Sequence, residues 1–504
     1  MANTSLLTIV VLSILLYLLG KAIYLLYFHP LACFPGPWYH AVSELPINYH
    51  CYIKGDIIPY FSWLHAKYGH TVRTAPNILS CIHADVWPQV YGPQKGEHKE
   101  NGKAKTMFPV HPKDYHLNIF TSNFDDHTRM RRVLAPAFSD KGLRLQEPVV
   151  QGIVDDLIIR LKGSCEKDET TDLVKLFHFT LFDLTGLLFF GKTFGCLAHG
   201  EYHPWVGIIF ESFRTAVIVS LIRSKPLGRY LLTFLPQWIL DKEAEHRRYS
   251  EEAVKARMEL GVTDTKDIVT LVLQEADGEN TLSSDELIET STLFITAASE
   301  TTATSLSGLF YLLAQNQSVC KRLAEEIRQA CPTEKDVTIK STQDMSYLRA
   351  CLKEVLRIYQ SVVLNVPRIA KPGGLTIDGI HIPEGTFIAG NHSIAYMSPA
   401  NFRDPDSFLP ERWLPEGKEH FASDNKAVHQ PFNIGPRACI GKNLGLAEMR
   451  LIAARMLWNF DFELEDPEKD SQGLGGDGGW LKRQRTFFLR EKGPLMVKLR
   501  GVVR

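Results

Sequence analysis

The longest uninterrupted hydrophobic stretch opens the chain. Leu6–Phe28 is apolar apart from a few small or polar residues and Lys21, which is long enough to span a bilayer as a helix. Lys21 sits near its C-terminal end, where a lysine reaches back to the interface. Polar and breaker residues take over at His29–Trp38, HPLACFPGPW. Three prolines there fix φ and remove backbone donors, so a semi-rigid joint is expected rather than a helix. Thr71–Ala84 alternates loosely in β-prone residues and predicts a small hairpin. Tyr91–Asn123 is polar and rich in Gly, Pro and Lys, and predicts a long loop. From Gly142 to Leu240 apolar residues recur at helical spacing, broken by Gly and Pro. Ser283–Gln315 sustains that spacing for more than about 25 residues, which suggests a helix through the middle of the protein. It starts at a capping box, Ser283 with Glu286. Asp344–Gln360 and Leu444–Trp458 predict two further helices, and Arg485–Leu499 reads as closing strands. The pattern is mainly α with a minor β lobe.

Composition narrows the class. A chain of 504 residues with 45% hydrophobic and 22% charged residues is a packed globular protein. Its net charge of −1 gives no reason to propose nucleic-acid binding. The 9 cysteines are odd in number and contain no CxxC pair, so neither a disulfide framework nor a zinc site is suggested. The glycine-rich Gly473–Gly479 lacks a strand–helix context, and a flexible loop is expected there instead of a phosphate site.

Chemistry concentrates in Phe432–Gly441, FNIGPRACIG. One cysteine sits in a short glycine-bounded loop just before a helix. An ordinary buried cysteine is the bland alternative. The pattern F-x-x-G-x-R-x-C-x-G argues against it, because a thiolate is a strong axial ligand for haem iron and favours O–O cleavage. Gly435 and Gly441 would give the tight backbone such a loop needs, Arg437 suits a propionate, and Phe432 would keep the sulfur dry. This stretch resembles the cysteine loop of the cytochrome P-450 haem-thiolate monooxygenases, and four other stretches match further motifs of the family. The middle of the long helix reads AASETT, Ala297–Thr302, similar to the family's oxygen-activation signature with Ala298 in place of the usual glycine. KEVLRIY carries Glu354 and Arg357, and FLPERW carries Arg412, matching the family's Glu-x-x-Arg and its later arginine. DDHTRMRRVLAPAF carries His127 and Arg131, where the family places Trp-x-x-x-Arg, so histidine replaces tryptophan.

The resemblance implies the family fold, with an N-terminal anchor at 1–28, a proline-rich hinge at 29–38 and a catalytic domain at 39–504. It implies haem b held through Cys439, with Arg131, Arg368, Arg437 and His127 on the propionates and Phe432 and Gly435 shaping the loop. Thr301 and Glu300 would deliver protons, while Glu354, Arg357 and Arg412 would be structural. Arg129 and Arg132 would face out towards an acidic electron donor. The implied partners are a small apolar organic substrate, O2, membrane lipid and NADPH cytochrome P-450 reductase, with cytochrome b5 as an optional second donor. The implied place is the endoplasmic reticulum membrane, catalytic part in the cytosol. The wording of HTRMRR and FLPERW is most like fungal enzymes of secondary-metabolite pathways, among which terpenoid, polyketide and alkaloid tailoring stay open. Two rivals are a reductase-independent haem-thiolate isomerase or dehydratase, which would not need the Glu300–Thr301 pair, and a membrane haem-binding protein without catalysis.

Overall fold

A computed structural model describes residues 2–94, 99–103, 117–207, 219, 222, 228–231, 234, 236–274, 281–466, 479–487 and 489–502. Helices of ten or more residues are numbered in chain order. They are α1 (Ala2–Ile23), α2 (Ile57–Tyr68), α3 (Phe124–Leu134), α4 (Asp140–Glu166), α5 (Leu173–Phe190), α6 (Gln237–Glu259), α7 (Ser284–Gln315), α8 (Gln317–Ala330), α9 (Ser346–Ile358) and α10 (Lys442–Asn459). The strands are β1 (Thr71–Ala75), β2 (Ile78–Cys81), β3 (Gly102–Lys103), β4 (Thr171–Asp172), β5 (Arg368–Ile369), β6 (Leu375–Ile377), β7 (Ile380–Ile382), β8 (Phe387–Gly390), β9 (Phe460–Leu464), β10 (Arg485–Thr486), β11 (Arg490–Glu491) and β12 (Met496–Gly501).

The helical bulk surrounds α7, which packs along α5 and is crossed by α9 and α10. Its Ser283 hydroxyl accepts from Glu286 N–H while the Glu286 carboxylate accepts from Ser283 N–H, so the long helix starts with its first donors satisfied. Asn123 caps α3 and Asp172 caps α5 in the same way. One large apolar core joins these helices to β9 and β12.

A second core lies under a five-stranded sheet of order β1-β2-β8-β5-β3. The expected hairpin is there as β1 and β2, and β2 also pairs in parallel with β8. In the β3–β5 pair Lys103 stands opposite Arg368, which places two cations side by side. A three-stranded sheet β4-β12-β9 and the hairpins β6-β7 and β10-β11 complete the β part.

The N-terminal apolar span is exposed from Leu6 to Lys21, and Leu25 near its end is buried; a helix that is hydrophobic all round and uncovered over most of its length suits lipid. The proline-rich joint is no free linker. Leu31 and Phe34 are buried in the second core, and Pro35 O accepts from Arg73 N–H at 2.8 Å. A side chain at Gly36 would meet Arg73 O at 2.5 Å. Arg73 Nη1 also donates to Leu25 O at 2.9 Å. The sequence pattern showed stiffness; β1 supplies the docking. Of the loop expected over Tyr91–Asn123, 95–98 and 104–116 lie outside the described residues, as does 473–478 of the glycine-rich segment.

Candidate active site

Cys439 follows a tight turn whose geometry is enforced from both ends. Cys439 N–H donates to Phe432 O at 2.8 Å and Ala438 N–H to Gly435 O at 3.0 Å. Gly435 has φ +77°, and a Cβ there would lie 2.1 Å from Tyr91 O, so only glycine fits. Gly441 departs from expectation. Its φ is −81°, and an added Cβ would meet nothing within 4 Å, so the backbone does not require glycine at that position. Burial pushes the Cys439 thiol up, while the backbone N–H groups of Gly441 and Lys442 and the nearby Arg131 pull it back. These donors favour the thiolate. Phe432 packs against the main core, and α10 behind the loop is largely buried.

The basic residues expected around a propionate converge, but not uniformly. Arg131, on α3, donates through Nη1 to Ala438 O at 2.7 Å and so ties its helix to the cysteine loop. Arg437 donates through Nε and Nη2 to Glu100 at 2.9 and 2.8 Å, and through Nη2 to Ser122 O at 3.1 Å. Its Nη1 has no partner among the described residues; neither do Arg368 Nη1 nor His127 Nδ1. All three atoms are buried. His127 is held neutral, pushed to about 3 by burial and then by Arg437, Lys103, Arg131 and Arg368. Lys103 belongs to the same group: burial, Arg437 and Arg368 lower its ammonium to about 7. Buried polar groups without partners are costly, and two guanidinium donors with a neutral imidazole beside one thiol loop fit a dianionic planar cofactor such as haem. Arg129 does not face out. It is bound to Glu286, to Asp126 and to Thr281 O, closing α3 onto the start of α7; Arg132 is exposed.

Along α7, Ala297 is exposed and Ala298 and Thr301 are partly so, whereas Thr302–Leu313 are all buried. An exposed alanine midway along the central helix leaves that face of α7 open. Thr301 Oγ1 donates back to Ala297 O at 2.7 Å, a bond that bends helices. The next residue fixes this stretch to the helix after the cysteine loop. Thr302 Oγ1 donates to Glu448 Oε2 at 3.3 Å and lies 3.5 Å from where a Gly445 Cβ would be. Burial pushes the Glu448 carboxyl up to about 8, with only Thr302 opposing. Glu300 points away from the opening, into a pocket made by Lys492, Thr304 and His178. Burial alone would raise its carboxyl, but Lys492 and His178 outweigh it and hold the group at about 2.

Behind the loop, Glu354 accepts from Arg357, Arg412 and Trp413, and Arg412 also pairs with Asp424 at 2.6 Å. The four charged side chains are fully buried. Arg357 donates to Tyr396 O, Pro405 O and Ser407 O, and the Tyr396 hydroxyl accepts from Gln430 N–H at 2.7 Å. That chain of bonds ends two residues before Phe432.

Glu100, Lys103, Asp424, Glu448, His178 and Lys492 escaped sequence reasoning. Only Glu448 carried a visible signal, as a lone acid within the apolar spacing of Leu444–Trp458.

The Cytochrome P450 family profile matches residues 44–489. Cytochrome P450 monooxygenase aclL of Aspergillus oryzae is 36% identical over 97% of this chain and 97% of its own. Averantin hydroxylase of Dothistroma septosporum is 36% identical over 97% and 90%, and trichothecene C-4 hydroxylase of Trichoderma arundinaceum is 36% identical over 95% and 94%. With its fold, its cysteine loop and its span of similarity in agreement, this chain belongs to the cytochrome P450 family of haem-thiolate monooxygenases.

Proposed function

We propose that the protein hydroxylates or epoxidises a small apolar organic compound of fungal secondary metabolism, with electrons from an NADPH-dependent reductase. The observation that carries this reading is the presentation of Cys439 by a loop closed through its own backbone bonds to Phe432 O and Gly435 O, ringed by Arg131, Arg437, Arg368 and His127. Haem bound through Cys439 supplies transfer of one atom of dioxygen to the substrate, the other leaving as water with two electrons and two protons. Arg437 Nη1, Arg368 Nη1 and His127 Nδ1 are the donors free for its carboxylates. Arg131 holds the loop through Ala438 O, so its part is positioning.

The chain's other task is to move protons and keep water out. Thr301 borders the opening and its hydroxyl both donates and accepts, which suits passing a proton to the oxygen side. Small Ala297 and Ala298 leave space there. Glu300 is the neighbour of Thr301 in sequence, and proton supply through it involves the partners that hold it. Hydroxylases among the relatives support the reaction class, and their names attach it to averantin and to a trichothecene. For this chain the substrate class rests on that similarity. The exposed N-terminal helix supports a membrane anchor, and the family resemblance assigns it to the endoplasmic reticulum with the catalytic part in the cytosol.

The test is a carbon-monoxide difference spectrum of the reduced protein beside Cys439→Ala. A red-shifted Soret band lost in the variant is expected. A wild-type protein that folds but gives no such band would sink the reading.

A further inference from the structure

Glu300 sits in a charged cluster sealed inside the helical core. Its Oε1 accepts from Lys492 Nζ and, at 3.1 Å, from Thr304 Oγ1. His178 Nε2, from α5, lies 2.8 Å from Oε2. The side chains of His178, Glu300 and Lys492 are between 2% and 6% exposed. The other ring nitrogen of His178, Nδ1, lies 3.3 Å from Tyr202 Oη, and Tyr202 is 37% exposed. A surface hydroxyl, an imidazole and a carboxylate therefore lie in successive contact, the last pair as a 2.8 Å approach. The carboxylate is the neighbour of Thr301 in the chain.

The partners of Glu300 are not equivalent. Lys492 neutralises the carboxylate and ties the segment after β11 to α7, which is a holding role. Thr304 is on the same helix and leads only deeper into the core. His178 alone offers one nitrogen to Glu300 and one to a group that meets solvent, and imidazole is the side chain suited to taking up and releasing protons near neutrality. A carboxylate held low by the Lys492 ammonium keeps no proton of its own at neutral pH, so any proton it delivers must be supplied as it is used.

We propose that Tyr202 and His178 are the proton supply of Glu300, a built-in path from the protein surface to the Thr301 side of the site. In each transfer Tyr202 Oη takes a proton from solvent as its hydroxyl proton passes to His178 Nδ1. The proton on Nε2 passes to Glu300 Oε2. One O–H or N–H bond breaks for each that forms, and the net change is one proton moved from water to the carboxylate. The imidazole regains its starting tautomer by exchange once Glu300 has given the proton up. Tyr202 and His178 are positioning and conducting residues; neither touches substrate. The inference rests on the proton-delivery reading of Glu300 and Thr301 above.

Tyr202→Phe removes the path's outer hydroxyl, and His178→Gln keeps a donor towards Glu300 but cannot pass a proton through. The first readout needs no turnover: exchange of the His178 ring proton with D2O, followed by NMR on protein labelled with nitrogen-15 histidine. Exchange is expected to slow several-fold in Tyr202→Phe. The second is hydrogen peroxide released per dioxygen consumed, with reductase, NADPH and whichever compound of an apolar terpenoid, polyketide and alkaloid panel shifts the Soret band most. That ratio is expected to rise in both variants and in Thr301→Ala. If Thr301→Ala raises it and neither path variant does, or if Tyr202→Phe exchanges at the wild-type rate, the path is wrong and the Thr301 reading stands. If Thr301→Ala itself leaves the ratio unchanged, the delivery reading fails, and the path fails with it as a catalytic device. A purely structural His178 would lower the thermal midpoint of His178→Gln while Tyr202→Phe matched wild type in both readouts, which also overturns the proposal.

Discussion

Arg437 and Arg368 each keep Nη1 buried and without a protein acceptor, a state that costs about 1–3 kcal/mol per group. The cost is tolerable only where a ligand takes it back, and an acidic cofactor edge does. Arg437 is already held by Glu100 through two nitrogens, so its geometry is set before any ligand arrives. Arg368 has no such carboxylate clamp in its own strand and stands beside Lys103. Replacing Arg368 by Met removes one charge-assisted contact worth about 1.5–3 kcal/mol and relieves the repulsion on Lys103. Haem is therefore expected to dissociate about 10- to 100-fold faster in transfer to apomyoglobin, with unchanged far-ultraviolet circular dichroism. Equal dissociation rates would remove Arg368 from the cofactor set. What was readable at this scale was what a fixed spacing carries: Cys439, Arg437 and Gly435 share one loop, and Glu300 and Thr301 share one helix. Lys103, Glu100 and Lys492 reach the same places from distant strands and loops, and no spacing records that. Gly441 shows the converse error, a glycine read as a backbone need where φ is −81° and any residue could adopt the conformation.

Two helices that the sequence pattern separates by more than a hundred residues are pinned together by one hydrogen bond between buried groups, Thr302 on α7 and Glu448 on α10. The bond sets how the oxygen-side helix lies against the helix that carries the cysteine loop. Its acid is expensive. The ordinary value of 4.5 rises to about 8 in the folded protein, so below the lower value both folded and unfolded states hold the proton and nothing is lost. Between the two values only the folded state holds it. Folding then takes up a proton, and stability falls as pH rises. At pH 7 the cost is about 3 kcal/mol, from roughly 1.4 kcal/mol per pH unit. Glu448→Gln keeps an acceptor for Thr302 and cannot ionise. The variant is expected to be more stable than wild type at pH 8, nearly equal at pH 5, and to have a flatter profile between. Denaturant midpoints of the detergent-solubilised chain at those pH values decide it; parallel profiles would mean that Glu448 is already ionised. The capping box of α7 and the hairpin β1–β2 were legible because each is local. The clamp between α7 and α10 was not, since both helices read as apolar runs and the partner of a lone acid is set by packing.

At the scale of the whole molecule the question is where the anchor ends and the enzyme begins. Composition put the boundary at the prolines, with 1–28 for the membrane and 29–38 as hinge. The physical boundary is sharper. Residues 6–21 of α1 are exposed, whereas Leu31 and Phe34 are inside the second core and Pro35 O is bonded to β1. The two segments should therefore respond oppositely to removal. Deleting residues 2–23 spares Leu25 O, the acceptor of Arg73, and is expected to leave the thermal midpoint unchanged while releasing the protein from membranes on sedimentation. Deleting residues 2–37 exposes the sites of Leu31 and Phe34, at about 1.5–3 kcal/mol for each buried side chain, and strips β1 of an acceptor. A fall of several kcal/mol is expected from that longer cut alone. If both deletions melted together with the full chain, the proline segment would be a free tether, and the membrane would be unable to impose any fixed attitude on the site. A fall confined to the longer deletion makes the segment part of the catalytic core, so that α1, Arg73 and β1 hold the second core, and with it Arg368 and Lys103, at a set inclination to the bilayer.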